Sequence, residues 1–169
     1  MTTAILKIRL FGDPCLRKKS SPVKEIGPGE RMLIQSMIAT MHDAKGVGLA
    51  APQVGISKRF FVMDIGEGPM AIINPKISKK MGTDTLEEGC LSIPEVTINI
   101  ERPQQITVKY MDENGQAQEK TCENLMARII QHETDHLDGK LIVDYASQDE
   151  KAQFKDQLKA LEKEQKKQT

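Results

Sequence analysis

Apolar residues recur at helical spacing over residues 29–43, GERMLIQSMIATMHD, where Leu33, Met37 and Met41 share one face and Ile34 and Ile38 lie beside them. That spacing predicts an amphipathic helix. Upstream, FGDPCLRKKSSPV predicts a short capped turn with Asp13 as N-cap and Pro14 at the first helical position. Downstream, KGVGLAAPQVG carries three glycines and a proline but little charge, so it reads as a loop pressed against the rest of the protein. RFFVMDI (59–65) and MAIINP (70–75) predict short apolar strands. VTINI (96–100) and ITVKY (106–110) alternate with period 2, as half-buried strands of an antiparallel sheet do, and DENG (112–115) is a hairpin turn. A second helix begins near residues 121–124 and stops at Gly139. Leu125, Ile129, His132 and His136 fall on one of its faces and Met126, Ile130 and Leu137 on another, which predicts a buried, central helix. The last 22 residues, 148–169, predict a charged amphipathic helix belonging to the same domain as residues 1–147. No βαβ alternation, internal repeat or low-complexity segment is present. The expected fold is α+β, with antiparallel sheets packed around the central helix and a C-terminal helix.

Composition narrows the function more than the fold. The chain has 169 residues, formal net charge zero, no Trp and nine Met. Bulk charge gives no footprint of a nucleic-acid-binding domain. No stretch reaches the length of a membrane span, and MTTAILKIRLFGDP lacks the basic and apolar regions of a signal peptide, so the expectation is a cytoplasmic protein. Three cysteines, Cys15, Cys90 and Cys122, argue against a disulfide framework.

The chemistry concentrates in IIQHETDHLDGK, residues 129–140, which holds two of the three histidines. His132 and His136 are four apart, hence on one helix face, with Glu133 between them. Two imidazoles so placed can hold a divalent metal, and the glutamate can reach a water on it. A catalytic metal needs a third protein ligand and an open position. His42 sits at the polar end of the first helix beside Asp43 and reads as surface or capping. Cys90, in EEGCLSIP (87–94), follows a glycine that permits close backbone approach and precedes a strand, so it is the best remaining ligand. Cys15 and Cys122 lack that setting and read as packing.

Three stretches, GVGLAAPQ (46–53), EGCLS (88–92) and QHETDHLDG (131–139), together resemble the three motifs of the peptide deformylase family, in order and spacing, and DPCLRKKSSPV resembles its opening. The resemblance runs from about residue 5 to 145. It implies a deformylase catalytic domain over residues 1–147. It implies a metal-dependent amide hydrolase that removes the formyl group from the N-terminal methionine of newly synthesised proteins, releasing formate. Cys90, His132 and His136 would be the ligands of one divalent metal, with water in the fourth position and Glu133 as general base and acid. Gln53, through its side-chain amide, and Leu91, through its backbone N–H, match the family's oxyanion donors. Val47, Gly48, Leu86, Gly89, Leu125 and Ile129 would bind substrate, an extended N-formylmethionyl peptide pairing as an added strand with its methionine in an apolar pocket. Glu88 and Arg102 match a pair that holds the EGCLS segment, while Asp135 stays open between support of the site and helix surface. The sequence departs from several bacterial members at EVTINI, where Thr97 stands near a position that carries a basic residue.

The donor set suits Zn²⁺ and also admits Fe²⁺, Co²⁺ or Ni²⁺; the resemblance implies Fe²⁺ in the cell, and a monomer is expected. In the terminal helix Lys151, Lys155, Lys159, Lys163 and Lys167 recur every four residues beside an apolar stripe of Phe154, Leu158 and Leu161. They form either a solvated basic face or a docking surface for the ribosome. Two other functions fit the motif alone. One is a peptidase whose third ligand comes from Asp138, Asp144 or Glu150; the other is a non-catalytic, metal-stabilised binding module.

Overall fold

The computed structural model describes residues 3–167; Met1, Thr2, Gln168 and Thr169, and with them the ends of the two expected segments, lie outside the described residues. Helix α1 runs Pro28–Asp43 and strand β1 Gly48–Ala50, followed by a short 3-10 helix over Ala51–Val54. Strands β2 (Phe60–Met63), β3 (Met70–Met81), β4 (Asp84–Cys90), β5 (Ile93–Arg102), β6 (Gln105–Met111) and β7 (Ala117–Glu123) lead to helices α2 (Asn124–Leu137) and α3 (Gln148–Lys167). Five strands form one antiparallel sheet in the order β1-β2-β3-β6-β7, while β4 and β5 form a separate antiparallel hairpin. The α+β reading holds.

The large sheet lies between two helices, which explains why its inner strands are continuously apolar. Phe60, Val62 and Ile73 point to one side, where they pack with Ile34, Met37, Ile38 and Met41 of α1. Phe61, Met63 and Ile72 point to the other and pack with Ala127, Ile129, Ile130 and Leu137 of α2. A strand buried on both faces shows no alternation of polarity. β5, by contrast, has only one covered face. Val96, Ile98 and Ile100 pack in a third cluster with Leu16, Leu141, Ile142 and Leu161, and the residues between them are exposed.

Several boundaries differ from the sequence reading. The apparent loop after α1 is buried from Gly48 to Val54 and supplies an edge strand, paired with β2, and a 3-10 turn. β3 continues to Met81 through two register shifts, with Asn74 and Lys79 at φ 52° and 49° absorbing them. β4 and β7 carry too many charged residues to stand out, and the period-2 strands β5 and β6 belong to different sheets. The 112–115 turn does join β6 to β7; the Asp112 carboxylate accepts from Asn114 N and Gln116 N, and Gly115 takes φ 76°.

α3 is not an appendage. Ser147 and Glu150 cap its start reciprocally, Ser147 N donating to Glu150 Oε1 and Glu150 N to Ser147 Oγ. Leu161 and Gln165 are buried, and Gln165 accepts from Leu10 N and donates to Asp13 Oδ2. Asp13 itself caps the turn over Pro14–Arg17, as its sequence indicates.

α2 is held at its C-terminus, where the Leu137 carbonyl accepts from Ser20 and Arg59. The chain then turns sharply at Gly139, φ 76°, whose missing Cβ would lie 2.5 Å from the Arg17 carbonyl oxygen. We expect Gly139→Ala to lower the unfolding free energy in urea by about 2 kcal/mol or more, combining left-handed backbone strain with a clash against backbone. Gly29→Ala, with nothing within 4 Å of its added carbon, should be neutral or mildly stabilising in the same measurement.

Candidate metal centre

α2 supplies two ring nitrogens and the end of β4 supplies a sulfur. Donor atoms of Cys90, His132 and His136 all lie within 4.8 Å of one another. Cys90 Sγ is 3.4 Å from His136 Nε2, and the two imidazole rings meet edge-on with centroids 5.1 Å apart. The hairpin register slips between the pairs Glu88↔Ile98 and Cys90↔Ile93, with Glu95 at φ 65°, so the end of β4 is re-aimed where Cys90 leaves it.

One thiolate and two imidazoles are the donors that suit a divalent transition metal, and three of them leave a position open. No fourth His, Cys, Asp or Glu joins the group among the described residues. Glu133 adds a second sign of fit: its side chain is buried, and its Oε1 has no partner. Such an orphaned acceptor is costly unless something fills the space beside it.

The electrostatics favour a cation. Burial alone would lower His132, but Glu133, Cys90 and Glu88 outweigh it and raise its pKa well above the usual imidazole value. Burial and the charge of His132 push His136 well below it. Burial, opposed by His132, pushes the Glu133 carboxyl up to about 7. The same anionic surroundings that hold a proton on His132 would hold a metal there instead.

Glu88 is the hub of the site. Burial would raise its pKa, yet hydrogen bonds from His132 and Arg102 hold it down at about 2. Its Oε1 accepts from Arg102 Nη2 and from His132 Nδ1, both at 2.9 Å, and its Oε2 from Arg102 Nε at 2.6 Å. A carboxylate only accepts, so His132 donates from Nδ1 and its Nε2 is the atom turned toward Cys90 and Glu133. Arg102 reaches on to Asp135, which also accepts from Tyr145 Oη at 2.6 Å. Asp135 is therefore a support for Arg102 rather than free helix surface.

A cavity of about 420 Å³ opens onto these groups. It is lined by Val47, Gly48, Leu86, Gly89, Leu125 and Ile129, and by Gln53 and Leu91. Ile129 is its buried wall, while Val47, Leu86 and Leu125 are about half exposed at its mouth. Leu125 and His132 of α2 thus line the cavity, and Ile129 is shared between the cavity wall and the sheet–α2 core. Gly48 is needed by proximity: a Cβ there would lie 2.6 Å from Glu133 Oε2. Gln53 is buried with its amide fixed, Ala50 N donating to Oε1 while Nε2 faces Ser92 Oγ at 3.1 Å and Cys90 Sγ at 3.6 Å.

Other residues fall where their sequence setting suggests. His42 is a surface residue, 2.8 Å from Asp64. Cys122 is buried in the sheet–α2 core and Cys15 packs against Pro52, with burial pushing the Cys15 thiol up to about 12. The downstream acids are engaged elsewhere: Asp138 with Arg59, Asp144 with Arg17, Glu150 at the start of α3. Thr97 is exposed on β5. Two residues escaped the sequence reading. Ser92 had no signal beyond its place in EGCLS. Arg128 had one, a lone charge in the apolar run LMARII one turn before His132; it is buried and donates to Glu88 Oε2, to Ile100 O at 3.0 Å and to Asp84 O at 2.6 Å.

Replacing Glu88 by Gln would leave two buried guanidinium groups short of their counter-charge. We expect a loss of about 3–5 kcal/mol in urea unfolding, the usual effect of breaking a buried ion pair from one side. A loss under about 1 kcal/mol, the range of exposed pairs, would mean that solvent screens the pair.

The match to the family model described as polypeptide deformylase covers residues 5–152. A peptide deformylase of Thermotoga maritima is 52% identical over 142 residues, 83% of this chain and 87% of the relative. The crystal structure of peptide deformylase from Thermotoga maritima matches at TM-score 0.83 and 51% identity, over 85% of this chain and 98% of that one. The crystal structure of peptide deformylase from Thermus thermophilus matches at TM-score 0.90 and 38% identity, over 95% of this chain and 99% of that one. With its fold, its motifs and more than four-fifths of its length in common with these proteins, this chain belongs to the polypeptide deformylase family.

Proposed function

We infer that this protein is a metal-dependent amide hydrolase that removes the N-formyl group from the terminal methionine of newly synthesised polypeptides and releases formate. The observation that carries the reading is the convergence of Cys90, His132 and His136 beside a buried, half-unpartnered Glu133 at the floor of an apolar cavity. The family uses a single catalytic metal, and these three residues would hold it. When bound, it supplies Lewis acidity, polarising the formyl carbonyl and making water a nucleophile near neutral pH.

The chain's own groups do the rest. Glu133 takes the proton of the attacking water on its carboxylate and delivers it to the leaving amine nitrogen. Gln53 donates from Nε2 to the developing oxyanion, its orientation fixed by Ala50 N–H, and Leu91 N–H in the β4–β5 turn is the second donor. β1 is an edge of the large sheet, so the extended substrate adds alongside it, close to Gly48 and opposite Gly89 of β4. The methionine side chain enters between Val47, Leu86, Leu125 and Ile129. Glu88 and Arg102 hold β4 and the His132 ring in place. Thr97 gives the substrate no charged contact.

Ferrous iron is the resident metal in this reading, with Zn²⁺, Ni²⁺ or Co²⁺ able to replace it. The enzyme acts as a monomer in the cytoplasm; among the described residues no helix is long and apolar enough to cross a membrane. The lysines of α3 are exposed and offer the ribosome a basic face. Deleting α3 is a poor test of that contact because Leu161 and Gln165 are buried. Changing Lys155, Lys159 and Lys163 to Glu should instead weaken salt-sensitive ribosome binding and leave peptide turnover intact; unchanged binding would remove the ribosome from the reading.

The reaction is tested by anaerobic purification and amine release from a formyl-methionyl tripeptide, with its acetylated form as control. Release should be specific to the formyl peptide and abolished by a chelator. Glu133→Ala should lower kcat about 10²–10⁴-fold, and Gln53→Ala about 10²–10³-fold. Cys90→Ser should abolish turnover; full activity in that variant would point to a peptidase using other ligands.

A further inference from the structure

The metal ligands come from two bodies that share no apolar core. Cys90 ends the β4–β5 hairpin, whose buried residues Val96, Ile98 and Ile100 pack toward α3 and the segment after α2. His132 and His136 lie on α2, whose buried apolar residues pack against the large sheet. No residue of β4 or β5 belongs to that second cluster. Near the site the seam between hairpin and helix is polar: Glu88 with His132, Arg102 with Asp135, and the contacts of Arg128.

Arg128 makes more of these crossings than any other side chain at the seam. It sits one helical turn before His132, on the same face. From there its guanidinium reaches Glu88 and Asp84 on β4 and Ile100 on β5. Two of the three acceptors are backbone carbonyls, so the contact fixes the path of both strands. Its planar fork of donors suits three acceptors at once, which an ammonium does not match. Glu88, one of the three, also orients the His132 ring.

We propose that Arg128 is a positioning residue for this site: by tying both strands of the β4–β5 hairpin to α2, it keeps Cys90 in reach of a metal held by His132 and His136. Its bearing on catalysis rests on the deformylase reading; its bearing on metal binding does not.

The experiment is a titration of full-length, metal-free protein with Co²⁺ against a chromophoric chelator, for wild type, Arg128→Met and Arg128→Lys. The thiolate-to-cobalt absorption reports Cys90 directly, and amide exchange over residues 84–102 reports the hairpin. Arg128→Met should bind Co²⁺ about 10-fold or more weakly, with a diminished thiolate band and faster exchange over 84–102. Arg128→Lys keeps the charge but not the fork and should fall between; it also serves if the Met variant does not fold. Ile106→Val, which trims the core under α2, should lower the melting temperature without changing affinity or band, separating positioning from general destabilisation. Wild-type affinity, band and exchange in Arg128→Lys, or in a folded Arg128→Met, would overturn the proposal. A wild-type protein that binds Co²⁺ through Cys90 but releases no formate with any metal would overturn the deformylase reading and leave this one standing.

Discussion

The structure depends on one buried carboxylate. Glu88 accepts from two arginines and one histidine in a largely buried position beside the cavity, and each donor comes from a different point of the fold: Arg102 from β5, Arg128 and His132 from successive turns of α2. An isolated carboxylate in such a place would be neutral or absent. Surrounded as it is, it stays ionised far below the ordinary carboxylate range. That charge sets the donor role of His132 Nδ1 and leaves Nε2 as the atom facing the cavity. The tautomer of a candidate metal ligand is thus decided by a residue outside the Cys90, His132 and His136 group.

The division of labour between the two bodies follows. α2 is pinned by an apolar core on the sheet side and by Ser20 and Arg59 at its C-terminal carbonyl. It is therefore a rigid carrier for two imidazoles and Glu133 at fixed helical offsets. The hairpin is carried by another core, shared with α3. The cavity forms where the two bodies and the β1 edge meet, and Gly48 lets β1 come close to the Glu133 carboxylate. The exposed apolar rim of Val47, Leu86 and Leu125 would be a liability on an ordinary surface; at the mouth of a cavity it is a surface that an apolar ligand group can cover.

The helices, the apolar strands and the HExxH face were legible because their signals are local. Period 3.6 marks α1 and α2, and uninterrupted apolar runs mark strands buried on both faces. The candidate ligand Cys90 was legible only through its glycine-containing neighbourhood and the resemblance of the whole motif. β4 and β7 were not, since strands such as DTLEEGC and AQEKTCE owe their state to pairing partners and not to their own polarity. The separation of β5 from β6 is a long-range fact that no window of sequence contains. Arg128 was visible as an anomaly, a charge in a run of buried positions, but its partners Asp84, Glu88 and Ile100 lie at least 28 residues away. Asp135 could be placed only once Arg102 and Tyr145 were seen to share it.

A polar seam is a demanding way to join two bodies. Burying an ion pair often stabilises no more than an apolar contact of the same size would, and removing one member leaves the others without compensation. Leucines at positions 88, 102 and 128 could in principle hold the hairpin to α2 as firmly. They could not select the tautomer of His132, nor keep negative charge beside it to favour a cation. Nor could they fix two strands through their carbonyls at defined points, because apolar packing has no direction. The seam is polar, on this argument, because the site requires orientation from it as well as cohesion, and the cohesion that it lacks is supplied by the two separate cores behind it.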